Sequence, residues 1–95
     1  MWYFRLVEGE SMLPCYRPGQ TVIINTSRNF KVGDVVVAFQ HGREVMKRIT
    51  KMKDGHVFLE GDNEKASTDS RDYGWLIDRH VVGKVAWPKK SPPSK

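Results

Sequence analysis

Residues 34–50, DVVVAFQHGREVMKRIT, hold the reading on which the fold turns. Two apolar runs, DVVVAF (34–39) and EVMKRIT (44–50), stand on either side of QHGR. Clustered valine and isoleucine favour an extended, half-buried backbone, and the glycine between the runs suits a tight turn. The same pattern recurs along the chain. TVIIN (21–25), HVFLE (56–60) and HVVGKVA (80–86) are further runs rich in β-branched residues, and RPGQ, KVGD, KDGH and EGDN punctuate them. Short strands at such spacing predict a mostly β chain, folded as one compact barrel-like or sandwich-like domain.

The chain has 95 residues, enough for one modest core. Residues 1–87 form the expected domain. The tail PKKSPPSK (88–95) contains three prolines and is expected to be disordered or loosely attached. NEKASTDSRDYG (63–74) is polar and long for a loop, which in a compact domain points to function.

Net charge is +5, from 16 basic and 11 acidic residues. Lys89, Lys90 and Lys95 lie in the tail, and without them the balance is +2. That is a mild excess, whereas phosphate binding needs a concentrated basic face, so nucleic acid is not an expected partner. Cys15 is the only cysteine and can form no internal disulfide; no Cys/His spacing suggests a zinc site, and no cofactor is implied. No apolar run approaches the roughly 20 residues that span a bilayer. MWYFRLV is too short and wrongly flanked for a secretory signal, so the expected location is cytoplasmic.

Alternation along EVMKRIT places Val45, Lys47 and Ile49 on one face and Glu44, Met46, Arg48 and Thr50 on the other. Lys47 thus falls on the more apolar side. It either snorkels to water or is partly buried; burial would lower its pKa and make it a general base near neutral pH. Such an amine beside a serine hydroxyl could generate a nucleophile for acyl transfer. Ser11, in VEGESMLPCYRPGQ (7–20), lies where neither helix nor strand is favoured. Spacing alone does not bring it to Lys47.

GESMLP (9–14), VGDVVV (32–37), MKRIT (46–50) and GDNEKASTDSRDYG (61–74) together resemble, in order, the boxes of the type I signal peptidase family of Ser/Lys proteases. The similarity covers about residues 7–86. It implies a serine endopeptidase with Ser11 as nucleophile and Lys47 as general base. Ser67 would hydrogen-bond and orient the lysine, while Asp69 and Arg71 would support the loop. The backbone N–H of Ser11 would contribute to the oxyanion hole. Some bacterial members carry a second serine donor two residues before the nucleophile, where this chain has Gly9. Cys15 stands at a usual threonine and Gln20 at a usual aspartate. By resemblance the substrate is a precursor protein or peptide, bound extended, with small residues near the cut and Gly9, Met12, Val45 and Met46 lining the pocket. Only ITKMKDGHVFLE separates the last two boxes, which resembles the small soluble branch that includes the nickel-type superoxide dismutase maturation proteases. The spacing also resembles that of mitochondrial inner-membrane peptidases, which are membrane-bound. The chain itself has no membrane-spanning run, and transient contact with a membrane stays open; no oligomeric state follows.

The same residues admit rival readings. His41, His56 and His80 sit at turns or a strand start and read as surface histidines rather than a triad. No signature supports Cys15 as a nucleophile. Ser/Lys self-cleaving repressors have a related core but add a DNA-binding domain for which this chain has no room. A catalytically inert, peptide-binding remnant of the same fold is the alternative function.

Overall fold

The computed structural model describes residues 1–93 of the chain. Its elements are β1 (Trp2–Leu6), β2 (Thr21–Asn25), β3 (Val35–Gln40), β4 (Arg43–Lys53), β5 (His56–Glu60), α1 (Ser70–Tyr73), β6 (Leu76–Ile77) and β7 (Val81–Trp87). Short 3-10 turns at Glu64–Ala66 and Asp78–His80 complete them. Two of the expected strands, β2 and β5, match their sequence bounds, and the other three stand within three residues of theirs. β1 and β6 are additions, and the polar segment 63–74 contains α1 and a 3-10 turn.

Two hairpins follow directly from the turn residues. His41 (φ 54°) and Gly42 (φ 77°) join β3 to β4, and Asp54 (φ 49°) and Gly55 (φ 75°) join β4 to β5. Positive φ at both central residues makes the backbone twist of the turn match that of the strands it connects. Val35 therefore pairs with Arg48 and Val36 with Lys47.

All seven strands belong to one antiparallel sheet in the order β1-β2-β7-β3-β4-β5-β6. The sheet is not closed into a barrel, so β1 and β6 are its edges. β3 lies at its centre and is buried on both faces. Val35 and Val37 pack with Val7, Met12, Tyr16 and Ile24, whereas Val36 and Ala38 pack with Ile49, Val57, Leu59 and Val81. That two-sided burial is why the run is uninterruptedly apolar, and each fully buried valine contributes roughly 1.5 kcal/mol or more.

β4 departs from simple alternation. Lys47, Arg48 and Ile49 are buried in succession, and its register with β5 shifts between Ile49 and Lys51. Arg48, on the polar face by sequence, is 2% exposed. Its burial is compensated by Asp62, whose carboxylate accepts from Nε and Nη2 at 2.8 Å each.

Residues 94 and 95 of the expected loose tail lie outside the described residues. Within the rest of it, the carbonyls of Pro88, Lys90 and Ser91 accept hydrogen bonds from Tyr16, Arg48 and Cys15. No helix among the described residues is long and apolar enough to cross a membrane.

Candidate active site

Residues 11–16 form a series of turns, closed by Leu13 N–H to Glu10 O (3.2 Å) and Tyr16 N–H to Met12 O (3.0 Å). Gly9 enters the turn at φ 70°, a left-handed conformation that side-chain-bearing residues rarely adopt. Met12 and Tyr16 point into the core at 1% exposure and anchor the turn, leaving Ser11 half-buried at its start.

Ser11 and Lys47 line one groove of about 580 Å³. Gly9, Met12, Val45 and Met46 line it too, so every residue expected at the nucleophile, base and pocket faces the same space. Among the described residues no hydrogen bond joins Ser11 to Lys47, and the Ser11 N–H donates to no protein group. The groove runs between two unpaired strand edges. β1 pairs only with β2, and residues 43–47 of β4 pair with β3 on one side while β5 begins its pairing at Arg48. Arg5 and Glu44 link the two edges through an ion pair at 2.9 Å.

Lys47 is 5% exposed. Its ammonium donates to Ser67 Oγ at 2.8 Å, and the Ser67 hydroxyl donates in turn to Asp69. Asp69 is wholly buried; it accepts also from the Gly61 N–H (2.8 Å) and from Arg71 Nη2 (2.7 Å). The structure thus brings Lys47, Ser67, Asp69 and Arg71 into one hydrogen-bonded chain. Asp69 is also the N-cap of α1, accepting from the Arg71 N–H at 3.1 Å, while Asp72 accepts from the Asp69 N–H at 3.0 Å. This capping box holds Asp69 through both its carboxylate and its backbone N–H.

The electrostatics follow from that geometry. Burial lowers the pKa of Lys47, the Asp69 carboxylate opposes the shift, and the Arg71 and Arg43 cations reinforce it. Burial pushes Asp69 the other way, but hydrogen bonds from Arg71, Ser67 and the Gly61 N–H outweigh it and hold its carboxyl well below the usual carboxylate range. Arg71 therefore counters the Asp69 charge, which on its own would raise the Lys47 pKa. At Cys15 burial first, and Asp62 second, push the thiol up, away from the thiolate that a cysteine nucleophile needs.

Other residues of the site were not read from sequence in the roles they hold. The Asn63 N–H donates to Ser11 O at 2.8 Å, and its side-chain amide donates to Glu10 O at 3.1 Å. A Cβ at Gly61 would lie 2.7 Å from Ser11 O and collide with the Ser67 side chain. Asp62 and Asn63 read as turn formers; their partners lie 14 and more residues away, beyond any local signal.

A family model described as Peptidase S24-like matches residues 2–86. Mitochondrial inner membrane protease subunit 1 of Xenopus tropicalis is 44% identical to this chain over 50 residues, which make up 50% of this chain. The match covers 30% of that protein's length.

Proposed function

Because the chain belongs to the Peptidase S24-like family, we propose that it is a serine endopeptidase working through a Ser11/Lys47 dyad. The observation that carries the reading is Lys47: a buried amine, its pKa lowered, tethered to Ser67 on the wall of the groove that Ser11 enters. A neutral amine keeps two N–H donors and one lone pair. With Ser67 Oγ accepting one donor, the lone pair is left for the Ser11 hydroxyl, and the missing Ser11–Lys47 hydrogen bond forms as substrate closes the groove.

Lys47 takes the Ser11 proton as Oγ attacks the peptide carbonyl carbon. The oxyanion accepts from the free Ser11 N–H, a contact worth about 3 kcal/mol in comparable sites. Collapse breaks the C–N bond, and Lys47 returns its proton to the leaving amine. Lys47 then takes a proton from water, the resulting hydroxide attacks the acyl-enzyme carbonyl, and Ser11 recovers its proton as the acid leaves. The substrate is a precursor protein or peptide, laid extended between β1 and residues 43–47 of β4. Met12, Val45 and Met46 narrow the groove and favour small side chains near the cut.

The test is cleavage of precursor peptides, signal-peptide-like and soluble amino-terminal extensions alike, by the wild type, Ser11→Ala and Lys47→Ala. Cleavage by the wild type is expected, with a loss of about 1,000-fold or more in each variant. Equal cleavage by all three would refute the dyad. Tight peptide binding without cleavage by the wild type would leave an inert binding remnant instead.

A further inference from the structure

A segment with no part in the proposed chemistry grips the nucleophile turn. After β7 the chain runs through Pro88, Lys89, Lys90 and Ser91 without regular structure, and the side chains of residues 89–91 are exposed. Three of its four carbonyls nonetheless accept hydrogen bonds. Tyr16 Oη donates to Pro88 O at 2.6 Å, Arg48 Nη1 to Lys90 O at 2.9 Å, and Cys15 Sγ to Ser91 O at 3.5 Å.

These donors belong to the parts that build the site. Cys15 and Tyr16 end the turn that Ser11 begins, and the Tyr16 N–H closes it onto Met12. Arg48 follows Lys47 and holds both oxygens of Asp62, the neighbour of Asn63. Asn63 in turn donates to Ser11 O and Glu10 O. Tyr16 and Arg48 are 1% and 2% exposed with the segment in place, so while it covers them neither can turn to water instead.

We propose that Pro88–Ser91 is a positioning clamp, fixing the Ser11 turn against the Arg48–Asp62 pair through main-chain carbonyls alone. This rests on the dyad reading for its catalytic consequence but not for its structural one. The acceptors are backbone atoms, so the side chains of Lys89, Lys90 and Ser91 are interchangeable. Pro88 has no N–H that could compete for a partner.

Three proteins test it: Tyr16→Phe, a chain ending at Trp87, and a Lys89→Ala/Lys90→Ala/Ser91→Ala triple variant. Each is assayed where circular dichroism shows it folded, for kcat and KM and for hydrogen exchange at the amides of residues 16 and 63. Tyr16→Phe should lower kcat about tenfold with KM nearly unchanged, and speed both amides about tenfold. The truncated chain should lose more, and the triple variant should match the wild type. A Tyr16→Phe enzyme with faster exchange but full kcat would reduce the segment to a mere cover and overturn the proposal. So would unchanged exchange, or a triple variant as impaired as the truncation. If the wild type cleaves nothing, the dyad reading fails while the exchange rates still decide the clamp.

Discussion

Lys47 concentrates the conflict between stability and chemistry at a single side chain. Burial lowers its pKa, which means that the fold holds its charged form at a cost. Lys47→Met should therefore abolish cleavage yet stabilise the protein at neutral pH, by on the order of 1 kcal/mol in a denaturant titration. The sign with pH follows from linkage. The native pKa lies below the unfolded one, so between the two the unfolded chain binds the extra proton and wild-type stability rises with pH. The advantage of the methionine variant should shrink over that interval; an advantage that grew would contradict the buried-amine reading. Arg71 tunes the same group, because it neutralises Asp69 and adds a cation. Arg71→Ala should raise the Lys47 pKa, and the pH–rate profile of kcat/KM should move to the alkaline side. A profile moving to the acid side, or not moving, would remove Arg71 from the tuning. At this scale the sequence was partly legible. Alternation put Lys47 on the more apolar face and resemblance joined it to Ser11, but the same alternation put Arg48 on the opposite face, with Glu44 and Thr50. It could not show Asp62 arriving from 14 residues away to make burial tolerable.

At the scale of elements, the strands were legible where turn chemistry and burial agree. His41–Gly42 and Asp54–Gly55 set the register of β3, β4 and β5 locally. β1 was not, because Trp2, Phe4 and Leu6 are all more than 60% exposed and only the pairing with β2 makes the segment a strand. The polar segment 63–74 is expected to be functional from its polarity and length, but no local signal shows how the loop that opens at Gly61 fits. Its first residue lies against Ser11 O and Ser67, leaving no room for a side chain. Gly61→Ala should push the loop from the Ser11 turn and lower kcat about tenfold or more while the sheet stays intact by circular dichroism. Next to it, the Arg48–Asp62 pair has side chains 3% and 4% exposed. Arg48→Met alone leaves a buried carboxylate unpaired and should cost about 3–5 kcal/mol of stability, most of it recovered in Arg48→Met/Asp62→Leu. A single variant as stable as the double one would mean that the pair carries no such penalty.

For the whole molecule, the β class is legible in the sequence but the open sheet is not. Composition and spacing predict a β domain that closes or stacks; the actual order leaves β1 at one end, and the amino-terminal half of β4 is left without a partner on one side. Which edges remain unpaired depends on long-range topology, for which no local run carries a signal. Adjacent strands lie about 4.8 Å apart, so one extended peptide inserted between the edges could hydrogen-bond to both. Arg5 and Glu44 already span the opening, and this exposed pair contributes little enough to give way to a peptide. Binding would then complete the sheet locally, with the substrate as the missing strand. The prediction is made on Ser11→Ala, which should hold a peptide without cutting it. Saturating peptide should slow hydrogen exchange at the amides of residues 43–47 and along Trp2–Leu6, and leave β6, the other edge, unchanged. Protection at β6 instead would place the peptide elsewhere. Protection on β4 alone would make it a one-sided addition, with β1 serving only as a wall.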